Sequence, residues 1–498
     1  MQTESSNERG QERLNVGTSQ RFAWTTCRSV CRVAATLLLI AAPCACSRHS
    51  AAEDGLVQSP DHIVLKNGIT VLLRPLEETD QIAIEALYRV GFLHEPKGMT
   101  QAAHLLEHLM CNCATASFEP GAAMDLLNQK GMANAETLAD MTHYDYVLPA
   151  SELEFALRVE AERLTSLQIT REIIAQEAPR CYAEADFVER NPAAGMLKHA
   201  FMALNQAWMH GQTSALIRGG LEDIPLDAIE RLHRTNYRPE NLTLVLVGGF
   251  DRAKAMTLIE KYLGVIERGT PIDSPSIDWS KVPKRMTVKW DSTVRAVCVA
   301  FPPPADAYDR ILLSLWGGML MQRLMTDDEI KAVADSTFCS NHLWGVDRLP
   351  FFVYATAKKD VTSDQLAAVL VKRIQLIASE TPSRMMIAQI RMLCNQLVTS
   401  SGEVDWNALR RMVTMVEAQG MDTDRATRIA IGQTALNCGI TYLLFGADPA
   451  AMGKRIQATS ADDLHRIIKA TVQSDKQHIT MLLPAGDATD AEGGTGAD

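Results

Sequence analysis

The sequence predicts an α+β fold of two similar halves, each a mostly antiparallel sheet packed with helices, in a clamshell arrangement. Three observations support this prediction. The 498 residues are too many for one hydrophobic core, so length favours more than one domain. Strand and helix patterns mix without a regular βαβ alternation, which favours a layered α+β fold. The order of elements in residues 55–267 recurs in residues 286–485.

The composition indicates a folded, acidic chain. Hydrophobic residues make up 47% of it and charged residues 22%, as in ordinary globular proteins. Asp and Glu outnumber Lys and Arg by 60 to 49, which gives a net charge of −11. The basic residues form no stripe that could neutralise phosphates, so the sequence argues against nucleic acid as a partner.

Residues 1–52 are expected to form a leader. The apolar run Val33–Ala45 follows two arginines and is shorter than the ~20 residues that a membrane-spanning helix needs. A basic flank before a short apolar run is typical of an export signal, so we expect a periplasmic protein. Two alternatives stay open: cleavage at the small residues Ser50–Ala52, or lipid attachment at Cys44 or Cys46, which alone would bring the chain to a membrane.

The first predicted domain, residues 55–267, mixes strands and helices. Asn67-Gly68 is a hairpin-turn signal between two short strands within His62–Arg74. Further strand patterns lie at Gln81–Val90, around Tyr144–Leu148 and at Leu242–Val247. Helical patterns lie between Thr100 and about Leu167, with a break near Gly131, and at Ile173–Val188 and Arg252–Leu263.

Residues 268–285 are rich in Pro, Ser and charge without a sustained period, and we interpret them as a linker. The second predicted domain, residues 286–485, repeats the order of the first and carries no metal motif. Its strand patterns are Val294–Phe301, Phe351–Thr356 and His478–Leu483, with a long helix from about Tyr308 and more helices between. Residues 486–498 are expected to be a disordered tail.

Of the 11 cysteines, four belong to the predicted leader. The remaining seven are an odd number in mostly apolar surroundings, which indicates buried free thiols rather than a disulfide framework. These seven are Cys111, Cys113, Cys181, Cys298, Cys339, Cys394 and Cys438.

The chemistry is predicted in the segment TQAAHLLEHLM, Thr100–Met110. On a helix, His104 and His108 lie one turn apart on one face, with Glu107 beside them. Two imidazoles at this spacing can bind one Zn²⁺, and the neighbouring carboxylate can hold the water of the metal. The order H-x-x-E-H is that of the inverted zinc proteases. Burying such groups on an apolar helix is costly without a metal or other partners, which favours a metal site.

A catalytic zinc site takes a third protein ligand. The segment EIIAQEAPRCYAEADFVE offers four glutamates, and periodicity does not choose among them. Glu177 and Glu184 are two helical turns apart and therefore share a face. The four candidates are Glu172, Glu177, Glu184 and Glu189.

These motifs resemble the pitrilysin or insulinase family of zinc metallopeptidases, which includes the mitochondrial processing peptidase. The resemblance is good from Leu65 to about Ile266 and weak elsewhere. Its core is HLLEH, followed by a glutamate 76 positions after the second histidine. The further matching segments, in family order, are Lys66-Asn67-Gly68, GMANAETLADMTHY from Gly131 to Tyr144, and Tyr237–Asn241 leading into LTLVLVGG.

The resemblance implies one Zn²⁺ per chain and a role for each residue of the motif. His104, His108 and Glu184 match the zinc ligands, and Glu107 matches the general base. Glu177 matches the supporting acidic position, where it would orient the ligands from behind.

The resemblance also implies how substrate binds and where this chain departs from the family. Asn134 and Ala135 match an edge strand to which an extended peptide adds, and a turn with an N-cap is the alternative. Family sites are completed by an Arg and a Tyr from the second half of the chain or of a partner, but Glu329 and Ser336 stand at those positions here. A heterodimer whose other, homologous subunit carries that pair is one interpretation, and misalignment is the other.

The sequence therefore predicts an exported zinc endopeptidase that cleaves peptides or unfolded protein segments as the catalytic subunit of a heterodimer. The alternative is a non-catalytic structural or peptide-binding subunit of the same family.

Overall fold

A computed structural model describes residues 61–190, 196–211, 219–269, 276–290, 292–339, 349–401, 413–414, 416–418, 420–446 and 449–486. The predicted leader, residues 1–52, and all of the predicted tail except Gly486 lie outside these described residues. The described residues form two mixed sheets packed with helices. This confirms the predicted α+β fold with two similar halves.

The first half contains a six-stranded sheet in the order β1-β2-β6-β3-β5-β4. Strands β2 and β6 run parallel, and all other neighbours run antiparallel. The strands are β1 (Asp61–Val64), β2 (Thr70–Pro75), β3 (Gln81–Tyr88), β4 (Met132–Thr137), β5 (Thr142–Pro149) and β6 (Leu242–Gly248).

The second half contains a five-stranded sheet in the order β7-β11-β8-β10-β9. Its one parallel pair is β7 with β11, and the other neighbours are antiparallel. The order repeats β2-β6-β3-β5-β4 strand for strand, including the position of the parallel pair. The strands are β7 (Arg285–Trp290), β8 (Ala296–Phe301), β9 (Ala334–Cys339), β10 (Phe351–Ala357) and β11 (His478–Pro484).

In each half, two helices lie between an inner strand, β3 or β8, and the edge strand, β4 or β9, and a longer run of helices precedes the last strand, β6 or β11. Those of the first half are α1 (Ala102–Asn112), α2 (Ala122–Lys130), α3 (Leu153–Thr165), α4 (Arg171–Arg190), α5 (Met196–His210), α6 (Leu226–Asn236) and α7 (Arg252–Tyr262). Those of the second half are α8 (Ala307–Thr326), α9 (Asp328–Val333), α10 (Ser363–Ser379), α11 (Arg384–Ser401), α12 (Thr423–Phe445), α13 (Pro449–Gln457) and α14 (Ala461–Thr471). Among the helices of these described ranges, none is both long and apolar enough to cross a bilayer.

One helix of each half packs against the sheet of the other half. Helix α5 of the first half packs its small and aromatic side chains, Ala203, Ala207 and Trp208, into one cluster with Val288 and Cys298 of the second sheet. Helix α12 of the second half packs into one cluster with one face of the first sheet. Each sheet therefore buries its second face against the other half, which joins the halves through two hydrophobic layers.

Two glycines lie where the sequence predicts a turn or the end of a helix. Gly68 has φ +97° in the turn between β1 and β2, and the side chain of Asn67 donates to the carbonyl of Leu263 at 2.8 Å. Gly131 lies between α2 and β4, where a Cβ atom would meet the carbonyl oxygen of Val147 at 2.1 Å. Glycine is the residue that fits both positions.

The strand patterns in the sequence did not place β4, β7 and β9, although the family resemblance assigned Asn134 and Ala135 of β4 to an edge strand. Strands β4 (MANAET) and β9 (ADSTFC) lie at the ends of their sheet orders and are mostly half-buried, so they lack a clear apolar alternation. Strand β7 begins at Arg285, the last residue of the predicted linker. Residues 276–284 of that linker form no helix or strand, and Val282 is buried there against the second sheet.

Candidate metal centre

Helix α1 places His104 and His108 side by side in the core of the first half. Every residue from Ala102 to Asn112 is buried. The two imidazole ring centroids lie 4.9 Å apart and the rings are nearly perpendicular. At the helix N-terminus, a carboxylate oxygen of Glu95 accepts a hydrogen bond from the backbone N–H of Ala103 at 3.1 Å. An acceptor at this end stabilises the helix that carries both histidines.

Glu184 on α4 reaches both histidines. Its Oε2 lies 3.3 Å from Nε2 of His104, and its Oε1 lies 3.4 Å from Nε2 of His108. Ligand atoms around a tetrahedral Zn²⁺ with bonds of ~2.0–2.1 Å are roughly 3.3–3.4 Å apart. Each Nε2 atom therefore has one oxygen of Glu184 at the separation expected between two zinc ligands, and these residue types fit the metal that the motif implies.

Glu177 lies behind His108. Its Oε2 is 3.2 Å from Nδ1 of His108, and its Oε1 accepts a hydrogen bond from the Arg180 guanidinium at 2.6 Å. The carboxylate is 1% exposed. A carboxylate on the second ring nitrogen fixes the tautomer and orientation of a ligating histidine. The arrangement directs Nε2 of His108 toward Glu184.

The other two candidate glutamates do not join this group. Glu172 is exposed in the first turn of α4. The side chain of Glu189 lies outside the described residues. The structure thus brings together the pair that shares a helix face and leaves Glu172 in solvent.

Opposite charges attract across the centre. Burial lowers the pKa of His108, but the neighbouring Cys181 and Glu184 outweigh burial and raise it well above its ordinary value. Burial raises the pKa of Glu184, yet His108 and His104 bring it well below its ordinary value. A proton shared in this way leaves when a cation takes its place, because metal ligands bind in deprotonated form.

Glu107 is held from the neighbouring strand. The hydroxyl of Thr137, at the end of β4, donates to Oε2 of Glu107 at 2.6 Å, and both side chains are buried. The hydroxyl of Thr142 lies 3.4 Å from that of Thr137 and donates to the carbonyl of Val90 at 2.7 Å. The carboxylate next to the two histidines therefore has one oxygen fixed by a short hydrogen bond.

Asn134 and Ala135 lie on β4, so the turn that was the alternative for them is wrong. Strand β4 is the last in the order of the first sheet, with Asn134 opposite Asp145 and Ala135 opposite Tyr144 of β5. Its outer edge is where an extended peptide could add as a further strand.

Cys181 is a member of this centre that the sequence analysis missed. Its thiol is fully buried, and its Sγ lies within 4.8 Å of ring nitrogens of His104 and His108. The spacing carried the signal: Cys181 is four residues after Glu177 and three before Glu184, so the three share one face of α4.

The prediction of buried free thiols holds for the six cysteines whose side chains the structure describes. The side chain of Cys394 lies outside that part of the chain. Burial raises the pKa of the Cys111 and Cys113 thiols to about 12, as expected for protonated core thiols.

The positions where the resemblance expects Arg and Tyr make surface and sheet contacts. Glu329 on α9 pairs with Lys372 at 2.8 Å and with Arg373 at 3.4 Å. Ser336 on β9 has its hydroxyl 2.7 Å from that of Thr356. Neither side chain takes part in the centre described above.

Two family models match this chain. The one described as "Insulinase (Peptidase family M16)" matches residues 70–216, which include all the residues of the centre. The one described as "Peptidase M16 inactive domain" matches residues 223–392.

Curated relatives align with about two fifths of the chain. It is 30% identical over 210 residues to the zinc protease PqqE of Helicobacter pylori, covering 41% of this chain and 47% of that protein. It is 23% identical over 221 residues to the mitochondrial-processing peptidase subunit beta of Neurospora crassa, covering 44% and 46%. The chain thus spans about half the length of the curated relatives it matches.

Solved structures match over a larger share. A protease from Helicobacter pylori superposes with a TM-score of 0.65 at 19% identity, covering 86% of this chain and 100% of that chain. The first half of the periplasmic protease PqqL from Escherichia coli superposes with a TM-score of 0.51 at 16% identity, covering 86% and 92%. At these identities the likeness shows a shared fold.

Proposed function

We infer the function from one premise: this chain belongs to the pitrilysin/insulinase family of peptidases, and its relatives include zinc proteases. We propose that it is a zinc-dependent endopeptidase that hydrolyses peptides or unfolded protein segments. In this proposal His104, His108 and Glu184 hold one zinc ion and Glu107 is the general base. The observation that carries it is the separation of 3.3 and 3.4 Å between Glu184 and the two imidazoles.

Each side chain around the centre has its own role in the proposed hydrolysis. When bound, zinc acidifies a water molecule and polarises the substrate carbonyl. Glu107 accepts the proton of the attacking water and then donates it to the leaving amine. Thr137 fixes Oε2 of Glu107, so Oε1 is the oxygen that takes the proton. Glu177 keeps the ring of His108 in place.

We propose that the outer edge of β4 binds the substrate as an additional strand. Ala135 and Thr137 share the sheet face that packs against α1, because side chains alternate along a strand. A peptide paired with Asn134 and Ala135 would therefore pass beside Glu107. Recognition through the backbone requires little of the substrate's sequence, which suits unfolded segments.

Export and a partner subunit are further parts of the proposal. PqqL of Escherichia coli is described as a periplasmic protease, and the Neurospora crassa relative is named as a subunit. Glu329 pairs with Lys372 and Arg373 on the surface of the second half, and neither it nor Ser336 can bind a substrate carbonyl as Arg and Tyr would. We propose that a homologous subunit without the zinc motif contributes that pair.

Metal analysis and peptide hydrolysis test the proposal. Purified chain should contain one zinc ion and, together with its homologous partner, cleave a quenched peptide library. Glu107→Gln should keep the zinc and reduce hydrolysis by ~10²–10⁴-fold, because it removes the general base. Glu172→Gln makes the same chemical change at an exposed position of α4 and should alter neither property. Retained turnover in Glu107→Gln would refute the role of that residue.

The second candidate function is a non-catalytic structural or peptide-binding subunit. The replacement of the expected Arg and Tyr by Glu329 and Ser336 favours it. A chain that binds one zinc ion but cleaves nothing, alone or with a homologous partner, would support this candidate over the peptidase.

A further inference from the structure

One side chain of the centre has no role in the hydrolysis proposed above. Cys181 lies on α4 between Glu177 and Glu184, both of which contact the histidines. Its side chain is fully buried, and its Sγ stands within 4.8 Å of ring nitrogens of His104 and His108. A thiol is one of the groups that zinc prefers.

We propose that Cys181 is a direct sulfur ligand of the metal ion, which gives a donor set of His104, His108, Cys181 and Glu184. The inference rests on the proposed function only in taking zinc as the resident metal. A tetrahedral zinc with a Zn–S bond of ~2.3 Å and Zn–N bonds of ~2.0–2.1 Å places sulfur and nitrogen roughly 3.6 Å apart. The sulfur and one ring nitrogen of each histidine lie within 4.8 Å of one another, so the thiol is next to the position of an ion held by the two imidazoles.

Cys181 differs from the other described cysteines of the first half in its distance from the two histidines. Cys111 and Cys113 follow His108 closely in sequence, and all three cysteines are buried in the hydrophobic core of the first half. Among the described residues, the group of potential metal ligands around His104 and His108 includes Cys181 and neither of those two. Proximity to both imidazoles, rather than burial, therefore distinguishes Cys181 from the other two.

A sulfur ligand changes the character of the centre. Catalytic zinc sites use three protein ligands and leave the fourth position to water, so the sulfur would occupy the position that the proposed hydrolysis needs for water. Binding converts the thiol to a thiolate, and its proton goes to solvent. The soft sulfur favours zinc over the hard ions Mg²⁺ and Ca²⁺. We expect tight zinc binding, with the sulfur competing with water for the fourth position.

X-ray absorption at the zinc edge of the wild-type full-length chain tests the ligand directly. A shell of one sulfur at ~2.3 Å, beside nitrogen and oxygen at ~2.0–2.1 Å, is expected. In the Co²⁺-substituted chain, a thiolate-to-cobalt charge-transfer band should appear in the near ultraviolet. A shell of nitrogen and oxygen alone would overturn the inference, and it would leave the proposed peptidase intact if hydrolysis persists. A chain that binds no zinc would overturn both.

Variants provide the matched comparison. Cys181→Ser should lose the sulfur shell and the cobalt band and bind zinc at least ~10-fold more weakly in chelator competition. Cys111→Ser changes a buried thiol one turn beyond His108 and should keep all three properties. If Cys181→Ser does not fold, Cys181→Val keeps an apolar side chain at the position and removes the donor. A cobalt band that persists in either variant contradicts the assignment of Cys181.

Discussion

The two halves share one strand order but bury different kinds of side chain. Within the described part of the chain, every buried Asp, Glu and Arg lies between residues 61 and 269. The buried polar residues of the second half are Ser and Thr hydroxyls together with His478. Helix α8, which follows β8 as α1 follows β3, buries Leu312, Leu315 and Trp316.

This difference shows that the fold itself does not require buried charge. Burying charged groups costs free energy unless they are paired, and apolar residues of similar size are often as stable. The first half nevertheless pairs Glu160 with Arg163, and the hydroxyls of Tyr88 and Tyr146 donate to Glu160 at 2.9 and 2.7 Å. These groups form one buried polar network within the first half.

The largest expected effect comes from replacing buried polar side chains of the first half by apolar ones, as found in the second half. His108→Leu should abolish zinc binding and reduce hydrolysis to background. It should also lower the free energy of unfolding by ~1.5–3 kcal/mol, because the buried Glu177 loses its imidazole partner and keeps only Arg180. Adding Glu177→Leu should restore most of that stability but no zinc. Denaturant unfolding and metal analysis of both variants measure this.

The double variant distinguishes two explanations for the buried polar side chains of the first half, a requirement for folding and a role in its chemistry. If His108→Leu/Glu177→Leu stays as unstable as the single variant, the polar layer belongs to the folding requirements of the first half rather than to its chemistry.

A second prediction concerns stability at acid pH. Nε2 of His233 on α6 lies 3.0 Å from the carbonyl oxygen of Arg163, and burial lowers the pKa of His233 to about 4. Because this lies below the value of ~6.5 in an unfolded chain, protonation favours unfolding. The stability from His233 is therefore complete above pH ~6.5 and is lost as the pH falls toward 4. The loss between pH 7 and pH 5 is about 2 kcal/mol.

His233→Gln keeps a side-chain N–H donor and does not titrate. In urea unfolding it should lose about 2 kcal/mol less stability than the wild type between those two pH values. An equal loss in both proteins would show that another group titrates. The counterpart helix α14 buries Leu464, Ile467 and Ile468, so this acid sensitivity belongs to the first half.

Features set by local spacing could be predicted from the sequence. The helical period places His104 and His108 on one face, and it does the same for Glu177 and Glu184. Cys181 obeys the same period, but it was judged by its apolar neighbours in sequence rather than by its helix face. The hydrophobic pattern missed the edge strands β4 and β9, because half-buried strands carry little alternation, and only the family resemblance assigned Asn134 and Ala135 to an edge strand.

Features set by distant packing could not be predicted in this way. The apolar residues of α5 and α12 show that each helix is buried, but not that each covers the sheet of the other half. Likewise, nothing near Thr137 in sequence indicates that its hydroxyl meets Glu107, 30 residues earlier. These contacts depend on how whole elements pack.

The smallest expected effect concerns that hydroxyl. Thr137→Val keeps the shape of the side chain but removes the donor to Oε2 of Glu107, which leaves the carboxylate free to rotate. A hydrogen bond to a charged group contributes about 1.5 kcal/mol, so kcat should fall about 10-fold with KM and zinc content unchanged. Thr137→Ser restores the donor and should recover most of the rate. Ser336→Ala removes the hydroxyl pair between Ser336 of β9 and Thr356 of β10 in the second half. It should leave kcat unchanged, because neither hydroxyl contacts the proposed general base. A rise in KM with constant kcat in Thr137→Val would instead place Thr137 in substrate binding, since it would mean that the orientation of Glu107 does not depend on this bond.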